Sequence, residues 1–402
     1  MKRFLLSSLL VTLILLLAAC ITSCGSGETV TLNVYNWGEY ISDGSEGTLD
    51  VNAEFEKYCL EEYGEKVKVN YTTYASNEDM YAKLKSGATS YDVIFPSDYM
   101  ISRMIEENML EKLDFSNIPN YQYIVDEYRD LYYDPENLYS VPYTYGLVGI
   151  IYNTAMVDEE DVGGWDLMWN EKYKGKILQF NNSRDAIGTA MYYLGIDVNT
   201  SDPAEWRKAI DMLKQQKPLV QSYVMDEIFN KMKGESAAIS SYYAGDFLTM
   251  YESNEDLAFY YPEEGTNVYT DAMCIPAGTA HKELAERYIN FMLSRDIAVA
   301  NAEYTCYASP NRLVIEDEEY TEDMSEMHED VMEILYPEVA PKASFYQNLS
   351  PETLSLVNEL WEELKIDSSV GSGVYITAGI IAGLLAAYFV FKYAQKRYRD
   401  NY

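Results

Sequence analysis

An indole, a carboxylate and a phenol occur within four residues, at Trp37, Glu39 and Tyr40. The preceding residues 30–37 alternate apolar and polar side chains as a half-buried strand does, and this pattern ends at Gly38. We therefore expect the three side chains on a loop beyond the carboxyl end of a strand, where ligands bind in open α/β sheets. A flat aromatic ring beside an anion suits an organic cation, although a buried tryptophan beside a solvated glutamate fits the same residues.

Two more groups of polar residues follow predicted strands. Ser97 and Tyr99 come directly after the continuous apolar run of residues 91–95, and Asn182 follows a predicted strand at residues 176–180. The first group therefore lies at a ligand-facing end of the sheet. Asn182 is equally well explained as the N-cap of the next helix.

The predicted elements alternate between strand and helix, which argues for a parallel sheet in an α/β fold. Residues 139–146 and 268–276 are the segments where the chain could cross to a second domain and return. The other predicted strands lie at residues 67–71, 91–95, 147–152, 176–180, 237–243 and 257–261, and the predicted helices at 49–62, 80–85, 184–193, 203–215, 226–233, 281–304 and 321–364.

The composition allows a large, strongly acidic protein. The 402 residues are 48% hydrophobic, which is enough for a sizeable core and two domains. Asp and Glu number 65 against 30 Lys and Arg, so the surface repels nucleic acid and attracts cations. The 39 tyrosines offer apolar rings with a hydroxyl at the rim, which suits partly polar ligands.

Histidine and cysteine are too scattered for the usual metal or nucleophile sites. The two histidines, His281 and His328, have no Cys or His cluster near them, so we expect neither a zinc site nor a histidine-based triad. Cys59, Cys274 and Cys306 allow at most one disulfide, and we expect buried free thiols.

The N-terminal residues 1–24 have the features of a secretory signal peptide, with two basic residues before an apolar run. The run ends in Leu-Ala-Ala-Cys at Cys20, which resembles the bacterial lipobox. Cys20 is therefore the expected lipidation site, and Cys24 is the alternative. An uncleaved signal anchor is a second possibility for the segment.

The C-terminal residues 370–391 contain no charged side chain, which predicts a transmembrane helix. The basic residues 392–402 that follow would lie in the cytoplasm. A buried helix of a soluble protein is the alternative. With both ends at the membrane, the body of the protein is expected on its extracytoplasmic face.

Several motifs together resemble the spermidine/putrescine-binding proteins, the extracytoplasmic receptors of polyamine ABC transporters. The shared motifs keep the order of that family and cover roughly residues 32–364. They are YNWGEY at 35–40, SNEDMYAKL at 76–84, YDVIFPSDYM at 91–100, YAGD at 243–246, YTDAMCIP at 269–276 and YQN at 346–348.

The resemblance implies a two-lobed α/β periplasmic-binding-protein fold, type II-like, with crossing hinge strands. The implied boundaries are residues 29–143 and 271–318 for lobe 1, and 144–270 and 319–366 for lobe 2. It also implies a polyamine site in which Asn182 replaces a family acid and Tyr243 a family tryptophan. Matched position by position, that site comprises Trp37, Glu39, Tyr40, Ser97, Tyr99, Asn182, Asp185, Tyr243, Asp246, Tyr269, Asp271 and Gln347.

The implied function is binding of spermidine, putrescine or both, and delivery to a permease and ATPase pair without catalysis, cofactor or metal. A polyamine is an apolar rod with ammonium groups, so it needs carboxylates for its nitrogens and ring faces along its methylenes. Two alternatives stay open from the residues: a ferric-iron or other cation receptor of the same fold, and a cell-wall glycan hydrolase that uses acids such as Glu39 and Asp271.

Overall fold

The computed structural model describes residues 29–87, 89–337 and 342–366. The predicted signal peptide at 1–24, both candidate lipidation residues Cys20 and Cys24, and the predicted cytoplasmic tail at 392–402 lie outside these residues. Cys59, Cys274 and Cys306 are buried free thiols, as the sequence predicts.

The described strands form one hydrogen-bonded sheet in the order β2-β1-β3-β9-β4-β7-β5-β6, with β10 beside β9 and β8 beside β4. Strands β1, β2 and β3 are parallel to one another, as are β5, β6 and β7. Their bounds are β1 Val30–Trp37, β2 Val67–Tyr74, β3 Val93–Ile94, β4 Ser140–Asn153, β5 Ile177–Phe180, β6 Val220–Val224, β7 Ile239–Tyr243, β8 Leu257–Tyr260, β9 Thr266–Cys274 and β10 Ala343–Phe345.

Two long strands carry the chain across the middle of the sheet. The first half of β4 pairs antiparallel with β9, and its second half pairs with β7 and β8. β4 is buried along almost its whole length, as its nearly uninterrupted apolar and aromatic sequence requires. We call the part around β1–β3 lobe 1 and the part around β5–β7 lobe 2.

Helices cover the strands of both lobes, and polar side chains cap several of them. The Ser76 hydroxyl accepts from the Asp79 N–H at 3.1 Å, and the Asn182 side chain accepts from the Asp185 N–H at 2.8 Å. The helices are α1 Val51–Tyr63, α2 Asn77–Ser86, α3 Asp98–Glu106, α4 Ser183–Leu194, α5 Pro203–Gln216, α6 Glu227–Lys233, α7 Ala244–Tyr251, α8 Lys282–Met292, α9 Arg295–Thr305, α10 Arg312–Ile315, α11 Glu318–Met327, α12 Val331–Leu335 and α13 Pro351–Ile366.

The hydrophobic core is divided in the same way as the sheet. One cluster in lobe 2 surrounds Trp165 and Trp206, and a cluster in lobe 1 surrounds Phe55 and Tyr288. Helix α9 contacts both clusters, because Ile297 packs in lobe 1 whereas Ala298 packs in lobe 2. The lobe boundaries stated above stay a prediction.

Two long predicted helices are interrupted. The stretch at 281–304 is divided into α8 and α9 at Leu293 and Ser294, where the Ser294 hydroxyl donates to the Phe291 carbonyl at 2.6 Å. The stretch at 321–364 contains β10, which pairs in parallel with β9. In that stretch, pairing with β9 overrides helical periodicity.

The predicted fold class needs one correction, which concerns the transmembrane helix. In the three described ranges no helix combines the length and the apolar character needed to cross a membrane. The longest described helix, α13, has 16 residues and carries several charged side chains, whereas a spanning helix needs about 20 mostly apolar residues. The fold described here therefore contains no membrane-spanning helix, and residues 370–391 lie outside it.

The turn before β4 depends on one buried carboxylate. The Asp134 side chain accepts hydrogen bonds from the N–H groups of Leu138, Tyr139 and Ser140 at 2.9–3.0 Å. It also accepts one from the Ser140 hydroxyl at 2.8 Å. This carboxylate fixes the point where the crossing strand begins.

We expect Asp134→Ala to lower the free energy of unfolding by about 2–4 kcal/mol, because it leaves buried N–H groups without an acceptor. Asp134→Asn keeps one acceptor oxygen in the same volume and should lose about half as much or less. Urea unfolding of both variants measures the difference. Equal stability of Asp134→Ala and the unmodified protein would contradict this role.

Candidate functional site

A cleft of about 820 Å³, including its open mouth, lies between the two lobes. It forms where parallel strands of both lobes end. Trp37 is the last residue of β1, Ser97 precedes α3, Asn182 precedes α4 and Tyr243 is the last residue of β7. The cleft therefore occupies the position at which α/β sheets bind ligands.

The structure brings together all but one of the predicted binding residues. Gln347 is the exception, because its side chain is exposed outside the cleft while its neighbour Tyr346 is buried in the lining. The residues that line the cleft as predicted are Trp37, Glu39, Tyr40, Ser97, Tyr99, Asn182, Asp185, Tyr243, Asp246, Tyr269 and Asp271.

Four carboxylates of the cleft each accept a hydrogen bond from a tyrosine hydroxyl. Such donors stabilise the ionised form of a carboxylate that has lost most of its water. The pairs are Tyr40 with Asp271 at 2.8 Å, Tyr307 with Asp246 at 2.8 Å, Tyr243 with Asp185 at 2.6 Å and Tyr99 with Glu78 at 3.0 Å.

Asp271 is almost fully buried in the lining, with 4% of its surface exposed. Its Oδ2 accepts from Tyr40, whereas its Oδ1 is buried and receives no hydrogen bond. Burial raises the pKa of Asp271 to about 6, the charge of Asp185 adds to this, and the hydroxyls of Ser97 and Tyr40 oppose it. A buried carboxylate oxygen without a donor is a site for a cationic ligand.

Asp246 is the second strongly perturbed acid. Burial raises its pKa to about 7, the charges of Asp226 and Glu39 add to the rise, and the Tyr307 hydroxyl opposes it. Asp246 follows β7 in the first turn of α7, whereas Glu39 comes from the loop after β1. Acids from both lobes therefore face the same space.

Aromatic faces form the walls between these acids. The Trp37 indole N–H donates to the Phe95 carbonyl at 2.9 Å, and its ring lies 4.6 Å from that of Tyr74. The rings of Tyr243 and Tyr269 meet edge to face at 5.3 Å. These walls can cover methylene groups while the carboxylates hold charged nitrogens.

Two of the predicted residues have additional structural roles. The Asn182 side chain caps α4 and donates from its amide to Asp185 at 2.7 Å, so it both starts the helix and holds a neighbouring acid. Glu39 has a left-handed backbone with φ of 49° and an exposed side chain at the mouth.

The geometry does not provide an evident metal site. In the parts of the chain that the structure describes, no group of three or more His, Cys, Asp or Glu side chains is arranged to hold an ion.

Comparison with known proteins identifies the family. The profile of the bacterial extracellular solute-binding proteins matches residues 52–327. The chain belongs to this family. The prediction of a two-lobed solute-binding fold is thereby confirmed, and so is the extracytoplasmic character of the protein.

Relatives of this solute-binding protein share most of its length. It is 30% identical over 362 residues to the spermidine/putrescine-binding periplasmic protein of Escherichia coli K12, covering 89% of this chain and 93% of the relative. It is 32% identical over 298 residues to the protein of the same name from Salmonella typhimurium LT2, covering 73% and 82%. The resemblance found in the sequence is confirmed.

Solved structures agree with these relatives. A chain from Listeria monocytogenes assigned to a spermidine/putrescine ABC transporter has a TM-score of 0.74 at 36% identity, covering 83% of this chain and 98% of that one. The spermidine/putrescine ABC transporter substrate-binding protein of Streptococcus pneumoniae has a TM-score of 0.66 at 34% identity, covering 84% and 99%.

Several further residues of the lining were not predicted from the sequence, among them the polar side chains Glu78, Arg184, Asp226 and Tyr307. Asp226 follows β6, a strand that the sequence analysis did not predict, so the rule that located Ser97 could not be applied to it. Glu78 and Tyr307 gave no local signal, because only the packing of distant segments turns them toward the cleft. Arg184 is adjacent to the predicted Asp185 but carries a positive charge instead of a negative one.

Ionisation of the buried Asp246 should lower the free energy of unfolding of the solute-binding protein. Its pKa of about 7 exceeds its ordinary value, so the folded state holds a proton that the unfolded state releases between about pH 4 and 7. Stability from this group therefore falls as pH rises through that window and stays low above it.

We expect Asp246→Asn to raise the unfolding free energy of the ligand-free protein by about 1–4 kcal/mol at pH 8, and by little at pH 4. Asp211→Asn, which removes an exposed charge of α5, is the matched control. Thermal unfolding at both pH values measures the effect. A pH-independent difference would rule out ionisation of Asp246 as its cause.

Proposed function

We propose that this protein binds a polyamine, spermidine or putrescine, outside the cytoplasmic membrane and delivers it to the permease and ATPase subunits of an ABC importer. The observation that carries the proposal is the unpartnered Oδ1 of Asp271, buried among the aromatic walls of Trp37, Tyr243 and Tyr269. A protonated amine supplies the donors that this oxygen lacks. The two relatives compared above, both spermidine/putrescine-binding periplasmic proteins, support the same ligand class.

The site offers each part of a polyamine a matching surface. An ammonium over an aromatic ring contributes about 0.5–2 kcal/mol, and a hydrogen bond to a carboxylate about 1.5–3 kcal/mol net. A few of each support micromolar or tighter binding after the ligand and side chains have been ordered. Uncharged methylenes fit against rings that carry few free polar groups.

Charge also explains how binding could drive closure. Glu39 follows β1 of lobe 1, Asp271 lies on the crossing strand β9, and Asp185 and Asp246 follow β5 and β7 of lobe 2. In the absence of ligand these carboxylates repel one another and favour an open cleft. A polyamine neutralises them and favours the closed form, which the importer would then recognise.

We further propose that the protein performs no catalysis and is held at the membrane by a lipid on Cys20, with Cys24 as the alternative. The sequence supports the lipid through its lipobox-like segment. Cys20→Ser should release the protein from the membrane fraction in its native host. Continued retention of that variant, with release of Cys24→Ser, would place the lipid on Cys24.

The ligand class can be tested by calorimetry with putrescine, cadaverine, spermidine, spermine and ferric citrate. We expect micromolar or tighter binding of at least one polyamine and no heat from ferric citrate. Asp271→Asn should weaken that binding about 30-fold or more, since a charged partner becomes neutral, whereas Asp211→Asn should not. Heat from ferric citrate alone, or glycan hydrolysis abolished by Asp271→Asn, would favour the respective alternative functions.

The proposed mode of binding also predicts a pH dependence. Asp246 and Asp271, with pKa values of about 7 and 6, must release their protons to hold ammonium groups. Alkyl ammonium groups, with pKa values near about 10, stay protonated throughout. Affinity should therefore rise from pH 5.5 to pH 8 and level off above it.

Titrations in buffers of different ionisation enthalpy measure the protons released on binding. The groups that face Asp246 are the Tyr307 hydroxyl, Asp226 and Glu39, and those that face Asp271 include Tyr40, Ser97 and Asp185. In Asp246→Asn the release near pH 7 should disappear while the release near pH 6 remains. Unchanged release in that variant would disprove the assignment to Asp246.

A further inference from the structure

The carboxylate of Asp226 lies at the mouth of the cleft and, among the described residues, neither caps its helix nor joins an ion pair. Asp226 is the N-cap residue of α6, yet its side chain accepts no hydrogen bond from the N–H groups of that helix. Among the described residues it also forms no ion pair, although Asp at this position usually caps. The carboxylate is turned into the cleft instead.

Asp226 reaches from lobe 2 to the first loop of lobe 1. A Cβ added to Gly38 would lie 2.6 Å from its Oδ2, so only a residue without a side chain leaves room for the carboxylate there. This contact places Asp226 beside Glu39, the next residue along the loop. Two acids from opposite lobes thus meet at the mouth.

The acids of the cleft fall into two groups by the charges that influence them. Asp226 and Glu39 both raise the pKa of Asp246, whereas Asp185 raises that of Asp271. Burial raises the pKa of Tyr269, and the charges of both Asp271 and Asp246 add to the rise. We call Glu39, Asp226 and Asp246 the mouth group.

A cation offsets the acids at the opposite end of the cleft. Arg184 is the one Lys or Arg side chain among the described lining residues, and it is 4% exposed. Its guanidinium lies 4.6 Å from the Tyr346 ring. Burial raises the pKa values of Glu78 and Asp185, and the positive charge of Arg184 opposes that rise. No basic residue of the described lining accompanies the mouth group, whose negative charge is uncompensated.

We propose that Asp226 is an additional ligand-binding residue and that it gives the mouth group the capacity to hold two neighbouring ammonium groups, which favours triamines over diamines. The inference rests on the proposed polyamine function. Spermidine carries two ammonium groups separated by only a propyl chain, and three carboxylates can bind both. Putrescine presents a single ammonium to the mouth group, for which Glu39 and Asp246 suffice.

Asp226 also compensates for a loss elsewhere in the site. Asn182 stands where the resembling family has an acid, so the Arg184 end has less negative charge than the resemblance implies. The additional carboxylate at the mouth favours binding of the more highly charged half of a ligand at the mouth group. The aminopropyl half of spermidine is therefore assigned to the mouth group and its aminobutyl end to Asp185.

Calorimetry with spermidine and putrescine on the unmodified protein, Asp226→Asn and Asp211→Asn tests the proposal. Asp226→Asn should weaken spermidine binding about tenfold and putrescine binding about threefold or less, because an exposed carboxylate contributes modestly to each contact. Asp211→Asn, which removes the same charge from lobe 2 outside the cleft, should leave both affinities within about twofold.

The outcomes separate this inference from the proposed function. If the unmodified protein binds neither polyamine, the proposed function fails. If it binds them and Asp226→Asn behaves like Asp211→Asn, Asp226 is not a ligand-binding residue. If Asp226→Asn weakens both ligands by the same factor, Asp226 contributes charge but no selection, and the preference for triamines is refuted.

Discussion

The hydrogen bond from a tyrosine hydroxyl to a buried carboxylate is the interaction on which this cleft depends. Carboxylates withdrawn from water would hold their protons and lose their use as cation sites. Tyr40, Tyr243 and Tyr307 each donate a hydrogen bond to one acid. These hydrogen bonds stabilise the ionised form of the acid near neutral pH. The abundance of tyrosine thus serves the electrostatics of the site as well as its aromatic walls.

This arrangement explains how one cleft can be both stable and charged. A lysine or arginine beside each acid would neutralise it and leave nothing for a cationic ligand. A phenol supplies a donor without a positive charge, so the carboxylate remains free to attract an amine. Arg184 is the exception in the described lining, and it lies against aromatic rings at one end of the cleft.

Much of the fold could be predicted from local sequence, since its strands end where alternation or apolar runs end. The same rule located Trp37 and Ser97, and family motifs located Tyr269 and Asp271. Glu78 could not be found in this way, because the packing of α2 against the start of α3 brings it to Tyr99. The predicted Gln347 is exposed and does not line the cleft, whereas its neighbour Tyr346 does, and local sequence could not distinguish the two.

The Trp37 indole has already committed its only hydrogen-bond donor, because its N–H is held by the Phe95 carbonyl. The π face of the ring remains available to a bound molecule, and it interacts favourably with positive charge and with hydrocarbon. A bound molecule can therefore stack on this ring but receives no hydrogen bond from it, so polar groups of the molecule depend on the other side chains of the lining. The orientation of this ring thus limits Trp37 to contacts through its face and leaves directional polar contacts to its neighbours.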